Sequence, residues 1–222
     1  VDAPKMDDRE LFRFAPSYHV DDFPTQLSWR AFPGKAGGLQ GAVEMCNNNG
    51  ACRKLTGGGM CPSYRATRNE RDAVRGRANS LRLAMSGQLG PDAMASDAMA
   101  ETMKLCVSCK ACKRECPVGV DMARMKVEVT AARAAKHGIP LHDRLIGNLP
   151  AYAPLASGLS GLSNLVQSVW RHVPGLASLV SRVTGFTTKR SLPKWHSNAF
   201  RNGEMRSAPT GAGTPVVLFA DT

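Results

Sequence analysis

Cysteines stand at Cys106, Cys109, Cys112 and Cys116, and Pro117 follows at once. This spacing, C-x2-C-x2-C-x3-C-P, is the ligand run of a bacterial-type 4Fe–4S site. A cubane cage offers iron corners only a few ångströms apart, so three thiolates reach three corners only from a tight loop. Two-residue gaps permit that loop. The fourth cysteine lies beyond its reach, and in two-cluster proteins it ligates the other cluster. Pro117 cannot continue a helix begun upstream and fixes the turn that leaves Cys116. The chemistry expected of such a site is the passage of single electrons.

A weaker copy of the run lies upstream. Cys46 aligns with Cys106, Asn49 with Cys109, and Cys52 with Cys112; Ala51-Cys52-Arg53-Lys54 echoes Ala111-Cys112-Lys113-Arg114. Cys61-Pro62 matches Cys116-Pro117 after a longer loop through Gly57, Gly58 and Gly59. The copy has lost its second cysteine and gained a glycine-rich insert. All 7 cysteines of the chain fall in these two runs. If the fourth ligands cross over, Cys106, Cys109, Cys112 and Cys61 hold one 4Fe–4S cluster, and Cys46, Cys52 and Cys116 remain for a second. Three thiolates suit a 3Fe–4S cluster, or a 4Fe–4S cluster whose last iron takes another ligand. Asn49 and Asn48 are candidates for that place, although an amide oxygen matches iron in sulfide poorly. Two competing readings stay open: zinc, which clustered cysteines also bind, and a single-cluster protein in which Cys46 and Cys52 pack as small apolar residues. The odd cysteine count argues against a disulfide framework.

The chain is basic, with 29 Lys and Arg against 18 Asp and Glu and a formal charge of +11. Each oxidised cluster with its thiolates carries about −2, which brings the loaded protein nearer roughly +7. Lys110, Lys113, Arg114, Arg53 and Lys54 flank the cysteines. Their field would stabilise a reduced cluster and raise its potential; the plainer reading is a solvated basic face. The aromatic interleaving of single-strand platforms is missing, so nucleic acid is not an expected partner. Gly57-Gly58-Gly59 has no following Lys and no strand–helix context, so it reads as a flexible insert, not a phosphate loop. Unpaired cysteines of this type point to a reducing compartment, the cytoplasm. No signal peptide is visible, and the opening at Val1 suggests a fragment or a processed chain.

The elements that must position these groups are mainly α-helical. Residues 1–41 read as an irregular lead-in, broken by Pro4, Pro16, Pro24 and Pro33 and anchored by Phe12, Phe14, Tyr18, Phe23, Trp29 and Phe32 packing on the domain. Residues 42–149 read as the iron–sulfur domain. In it, Ser63 to Leu89 is an arginine-rich helix with Val74, Ala78, Leu81 and Met85 inward and Gly76 at a close contact. A second helix runs from Pro91 to Lys104 with Met94, Ala98 and Leu105 on one face. A third spans Asp121 to His137, with Met122, Met125 and Val129 apolar, a stop at Gly138 and Pro140, and His137 as a cap. A short helix over Leu141 to Leu149 ends at Pro150. Residues 150–186 read as two short amphipathic helices, none long enough to cross a bilayer; resting at the inner face of the plasma membrane is the functional alternative to packing on the core. Residues 187–213 read as linker. Residues 214–222, with Val216-Val217-Leu218-Phe219-Ala220, read as the first strand of a further, truncated α/β domain.

At Glu44 to Arg53, Met60-Cys61-Pro62-Ser63-Tyr64, Arg75-Gly76-Arg77-Ala78-Asn79 and Leu105 to Met122 the chain resembles the iron–sulfur region of bacterial FAD-linked oxidases. These are D-2-hydroxyacid dehydrogenases of the D-2-hydroxyglutarate or D-lactate type. The resemblance implies an α-helical ferredoxin-like fold, a preceding FAD domain absent from this chain, and a following cysteine-rich domain. It implies a module that takes electrons from flavin and passes them to a quinone or carrier protein. A stand-alone iron–sulfur subunit of a membrane-associated oxidoreductase and a zinc-bound interaction module are the alternatives.

Overall fold

The computed structural model describes residue 20 and residues 23–32, 38–173, 175–187 and 189–198. The described part is helical throughout, with no strand. The strand expected at 214–222 and the anchors Phe12, Phe14 and Tyr18 fall outside the described residues. The chain divides into two compact units, Val1–Gly138 and Ile139–Thr222.

The first unit holds all the cysteines. Its helices are α1 (Leu39–Glu44), α2 (Pro62–Thr67), α3 (Val74–Met85), α4 (Asp97–Lys104), α5 (Ala111–Glu115) and α6 (Met122–His137). Short 3₁₀ turns at Ala51–Arg53, Glu70–Asp72 and Ala93–Ala95 link them. The central element is α3, which packs on α1, α4, α6 and two of these turns. Val74, Ala78, Leu81 and Met85 are all buried, as their helical spacing predicts. Gly76 permits the close approach: a Cβ there would lie 2.0 Å from the carbonyl oxygen of Glu70. Met122, Met125 and Val129 of α6 face the same core. A residue the periodicity marks as polar, Glu128, is also buried there at 1% exposure. It accepts the backbone N–H groups of Gln26 and Leu27 and the indole N–H of Trp29, at 2.8–2.9 Å. Arg124 donates to the Ser28 carbonyl at 2.7 Å and its guanidinium lies over the Trp29 ring. So the described part of the lead-in is clamped to α6, with Phe23 and Phe32 packed against the core.

Two helices expected from the sequence are broken. The span from Ser63 to Leu89 divides because Arg68 adopts a left-handed conformation (φ 59°) after α2, and Asn69 caps the next turn by accepting from Arg71 N–H. The span from Pro91 to Lys104 divides at Ser96, whose hydroxyl accepts from Met99 N–H and starts α4 afresh. This break rotates the inward face: Met94, Met99 and Met103 are buried, whereas Ala98 and Leu105 are exposed.

The second unit contains α7 (Leu141–Gly147), α8 (Leu149–Gly158), α9 (Ser160–His172) and α10 (Leu176–Thr184). Three helices, not two, follow residue 147, because Pro150 opens α8 instead of closing α7. Proline is tolerated in a first turn, where its missing N–H has no intrahelical partner to lose. Asn164 ties down Trp195 through paired hydrogen bonds to its backbone, and Tyr152 meets the Trp195 ring edge-on. Leu155, Leu162, Leu165, Val166, Leu179 and Val183 of this unit are exposed. No described helix is long and apolar enough to cross a membrane.

Candidate iron–sulfur site

The two cysteine runs fold as copies. Asn48 and Gly50 take left-handed backbone conformations (φ 62° and 76°), and so do Ser108 and Lys110 (φ 55° and 57°). These positions lie two and four residues after Cys46 and Cys106. Each loop then enters a short helical turn through Ala51-Cys52 or Ala111-Cys112. Asn49 therefore stands where Cys109 stands in the other copy. Its amide oxygen accepts Ala51 N–H at 2.9 Å and its amide nitrogen donates to Asn47 at 2.6 Å. The side chain is exposed and closes its own turn.

A narrow cleft, partly open to solvent, lies between the downstream loop and the start of α2. Cys61, Cys106, Cys109 and Cys112 all line it, with Met60, Val74, Arg77 and Met122; Cys116 is not among the described residues on its wall. Cys61 and Cys112 are buried, Cys106 is half-buried and Cys109 is exposed at the rim. Burial pushes the Cys112 thiol above its ordinary value, partly offset by the Met122 N–H at the start of α6. Cys61 Sγ lies 3.4 Å from both Ser63 Oγ and the Asp72 carbonyl oxygen.

Glu115 holds the glycine insert in place. Its carboxylate accepts the N–H of Gly59 at 2.7 Å and that of Met60 at 2.9 Å, one residue before Cys61. Those amides, with Arg114 behind them, keep its carboxyl below the usual carboxylate range. Arg65 donates to the carbonyls of Lys54 and Gly57 from the other side. The insert is thus bound at several points, unlike the loose loop its glycines suggest.

Cys46 and Cys52 are both buried beside α3. Arg75 N–H donates to Cys52 Sγ at 3.4 Å. Burial pushes the Cys52 thiol up, and the nearby Cys61, Cys46 and Glu70 act in the same direction. Cys116 ends α5, its N–H donating to the Cys112 carbonyl at 2.9 Å. Among the described residues no three His, Cys, Asp or Glu side chains converge on a point, as a single metal ion requires. His137 ends α6 beside Gly138 and meets no cysteine loop among the described contacts.

The basic residues beside the ligands divide by environment. Lys110, Lys113 and Arg114 are exposed and rim a shallow depression around Cys109. Arg53 is half-exposed, pairs with Glu70 at 3.4 Å and donates to Tyr64 Oη at 3.2 Å. Solvent screens such charges. Arg77, in the arginine-rich stretch and within the block Arg75 to Asn79 that carries the resemblance, is fully buried on the cleft wall.

Residues 42–120 match the family described as a 4Fe-4S dicluster domain. The chain is 28% identical to a D-2-hydroxyglutarate dehydrogenase of Pseudomonas putida, over 64% of this chain and 17% of that protein. It is 27% identical to one of Pantoea ananatis, over 56% of this chain, and 26% identical to one of Escherichia coli, over 52%. The chain spans about a sixth of the length of these relatives. No solved structure matches it. The resemblance read in the sequence, to the iron–sulfur region of dehydrogenases of this type, is borne out.

Proposed function

We propose that the chain is the iron–sulfur electron-transfer module of an FAD-dependent D-2-hydroxyacid dehydrogenase, with its 4Fe–4S cluster held by Cys61, Cys106, Cys109 and Cys112. The observation that carries this reading is that these four thiols border one cleft. Three come from the downstream loop and one from the upstream copy, which is the crossed ligand set. A zinc site would need its thiolates about 2.3 Å from a single point. The C-x2-C-x2-C-x3-C-P spacing and the match of residues 42–120 to a 4Fe-4S dicluster domain favour a cluster over zinc.

The group, when bound, supplies one-electron storage at a potential set by its surroundings. This chain's residues hold and shelter it. Soft thiolates match iron in sulfide. Met60, Val74 and Met122 exclude water from the inner wall. The Glu115 clasp keeps Cys61 within reach of the downstream loop. Cys112 surrenders a proton held by burial, so loading the site releases protons. Cys46, Cys52 and Cys116 are the remaining set for a second cluster, of the 3Fe–4S or 4Fe–4S kind. For Asn49 to join it, its amide oxygen must give up Ala51 N–H.

Flavin on another domain would be the electron source and a quinone or carrier protein the acceptor; the similarity to D-2-hydroxyglutarate dehydrogenases supports a redox role of this kind. Anaerobic reconstitution of the full chain, with iron and acid-labile sulfide analysis and electron paramagnetic resonance, tests the reading. Equal iron and sulfide and a reducible spectrum are expected. A folded, sulfide-free protein that holds zinc instead overturns it.

A further inference from the structure

Arg77 is 0% exposed and lines the same cleft as the four thiols. Its Nε donates to the Thr102 carbonyl at 2.9 Å and its Nη1 to Ser63 Oγ at 3.1 Å. The same Nη1 lies 3.7 Å from Cys61 Sγ, within reach of an N–H···S hydrogen bond. Among the described residues its ion-pair partner is buried Asp72, with Oδ1 3.8 Å from Nη2. That distance is too long for a hydrogen bond, and neither of these two atoms has a hydrogen-bond partner among the described residues. A guanidinium stays protonated under all working conditions, and burying one without a bonded counter-ion is costly. Asp72 therefore balances Arg77 incompletely, since its Oδ1 also lies 3.7 Å from Arg71 Nε, while Cys61 Sγ lies at Arg77 Nη1.

We propose that Arg77 sets the reduction potential of the cluster, its buried guanidinium donating to Cys61 Sγ and making the cluster easier to reduce. The inference rests on the ligand set proposed above. Reduction adds one electron and breaks no bond; the donor is a chemical reductant in the test and reduced flavin in the proposed protein. The added negative charge appears beside a fixed positive charge and a donor already aimed at the thiolate. Both favour the reduced form, and more strongly in a buried site than at the surface. Lys110, Lys113 and Arg114 carry the same sign of charge, but solvent screens them.

The test is a redox titration of the full chain, reconstituted anaerobically and followed by electron paramagnetic resonance. Arg77→Met should shift the reduction equilibrium toward the oxidised cluster by about tenfold, equal to 59 mV for one electron. Arg77→Lys should retain most of the wild-type potential, and Asp72→Asn should shift it the opposite way, upward. If Arg77→Met does not load iron, the lysine and Asp72→Asn variants decide. An unchanged potential in Arg77→Met, a shift in Arg77→Lys as large as in the methionine variant, or no rise in Asp72→Asn overturns the proposal. Each of those results leaves a reducible wild-type cluster. Absence of sulfide from the wild-type protein sinks the ligand set itself.

Discussion

Glu128 receives the indole N–H of Trp29 at 2.8 Å, with the carboxylate at 1% exposure in the middle of α6. With the amides of Gln26 and Leu27 it accepts three donors from one segment. Glu128→Ala removes the acceptor of the buried Trp29 indole and of two part-buried amides; leaving a buried donor unmet costs about 1–3 kcal/mol before relaxation, and the amides add less. We expect a net loss of about 3–4 kcal/mol, read as a lower urea midpoint. Trp29→Phe removes one donor and should cost less than half as much. Equal effects of the two changes would refute the shared-acceptor account.

Gly76→Ala should be as damaging as a core truncation. The new methyl would meet backbone, the Glu70 carbonyl at 2.0 Å, which no rotamer change relieves. Pushing α3 off the Glu70–Asp72 turn should cost about 3 kcal/mol, against a gain in helix propensity of under about 1 kcal/mol. Thermal melting of the apo protein measures this independently of iron. A variant at least as stable as the parent would show the contact to be slack.

The crossed set separates the cysteines. Cys61→Ser and Cys109→Ser should each abolish or destabilise the principal cluster, since a harder oxygen replaces soft sulfur. Cys116→Ser should leave that cluster's iron and spectrum in place. Loss of the same spectrum from Cys116→Ser, with Cys61→Ser unaffected, would mean each loop keeps its own fourth ligand.

Glu115→Ala frees the insert without touching a thiol. Amide hydrogen exchange at Gly59 and Met60 should accelerate, because both lose their acceptor. Iron should also leave faster in the presence of a chelator, since Cys61 is no longer tethered. Unaltered exchange at both amides would show that Arg65 alone secures the loop.

The chemistry of this chain lay close to the surface of its sequence. Cysteine spacing identified both runs, and the matched left-handed residues at Asn48, Gly50, Ser108 and Lys110 give the repeat a backbone counterpart. Gly138 ends α6 where the pattern placed it. Other features were hidden for physical reasons. A left-handed Arg68 has no compositional signature, so one arginine-rich stretch looked like a single helix. Ser96 is a good cap, but it sat within an otherwise continuous alanine–methionine pattern. Glu128 and Arg77 carry charge, and periodicity assigns charge to solvent. Partners brought in from distant segments, the Gln26–Trp29 stretch for Glu128 and Ser63 and Thr102 for Arg77, account for their burial.

The uneven depth of the four thiols has a consequence for traffic. Cys112 and Cys61 are enclosed, whereas Cys109 faces outward within a rim of Lys110, Lys113 and Arg114. Electron tunnelling weakens steeply with distance, so in the proposed module a redox partner would gain most by docking at this doorway, where the cationic collar would favour an acidic visitor. In the proposed module dioxygen would share that route, so the opening that would serve delivery would also be the corner where oxidative damage begins.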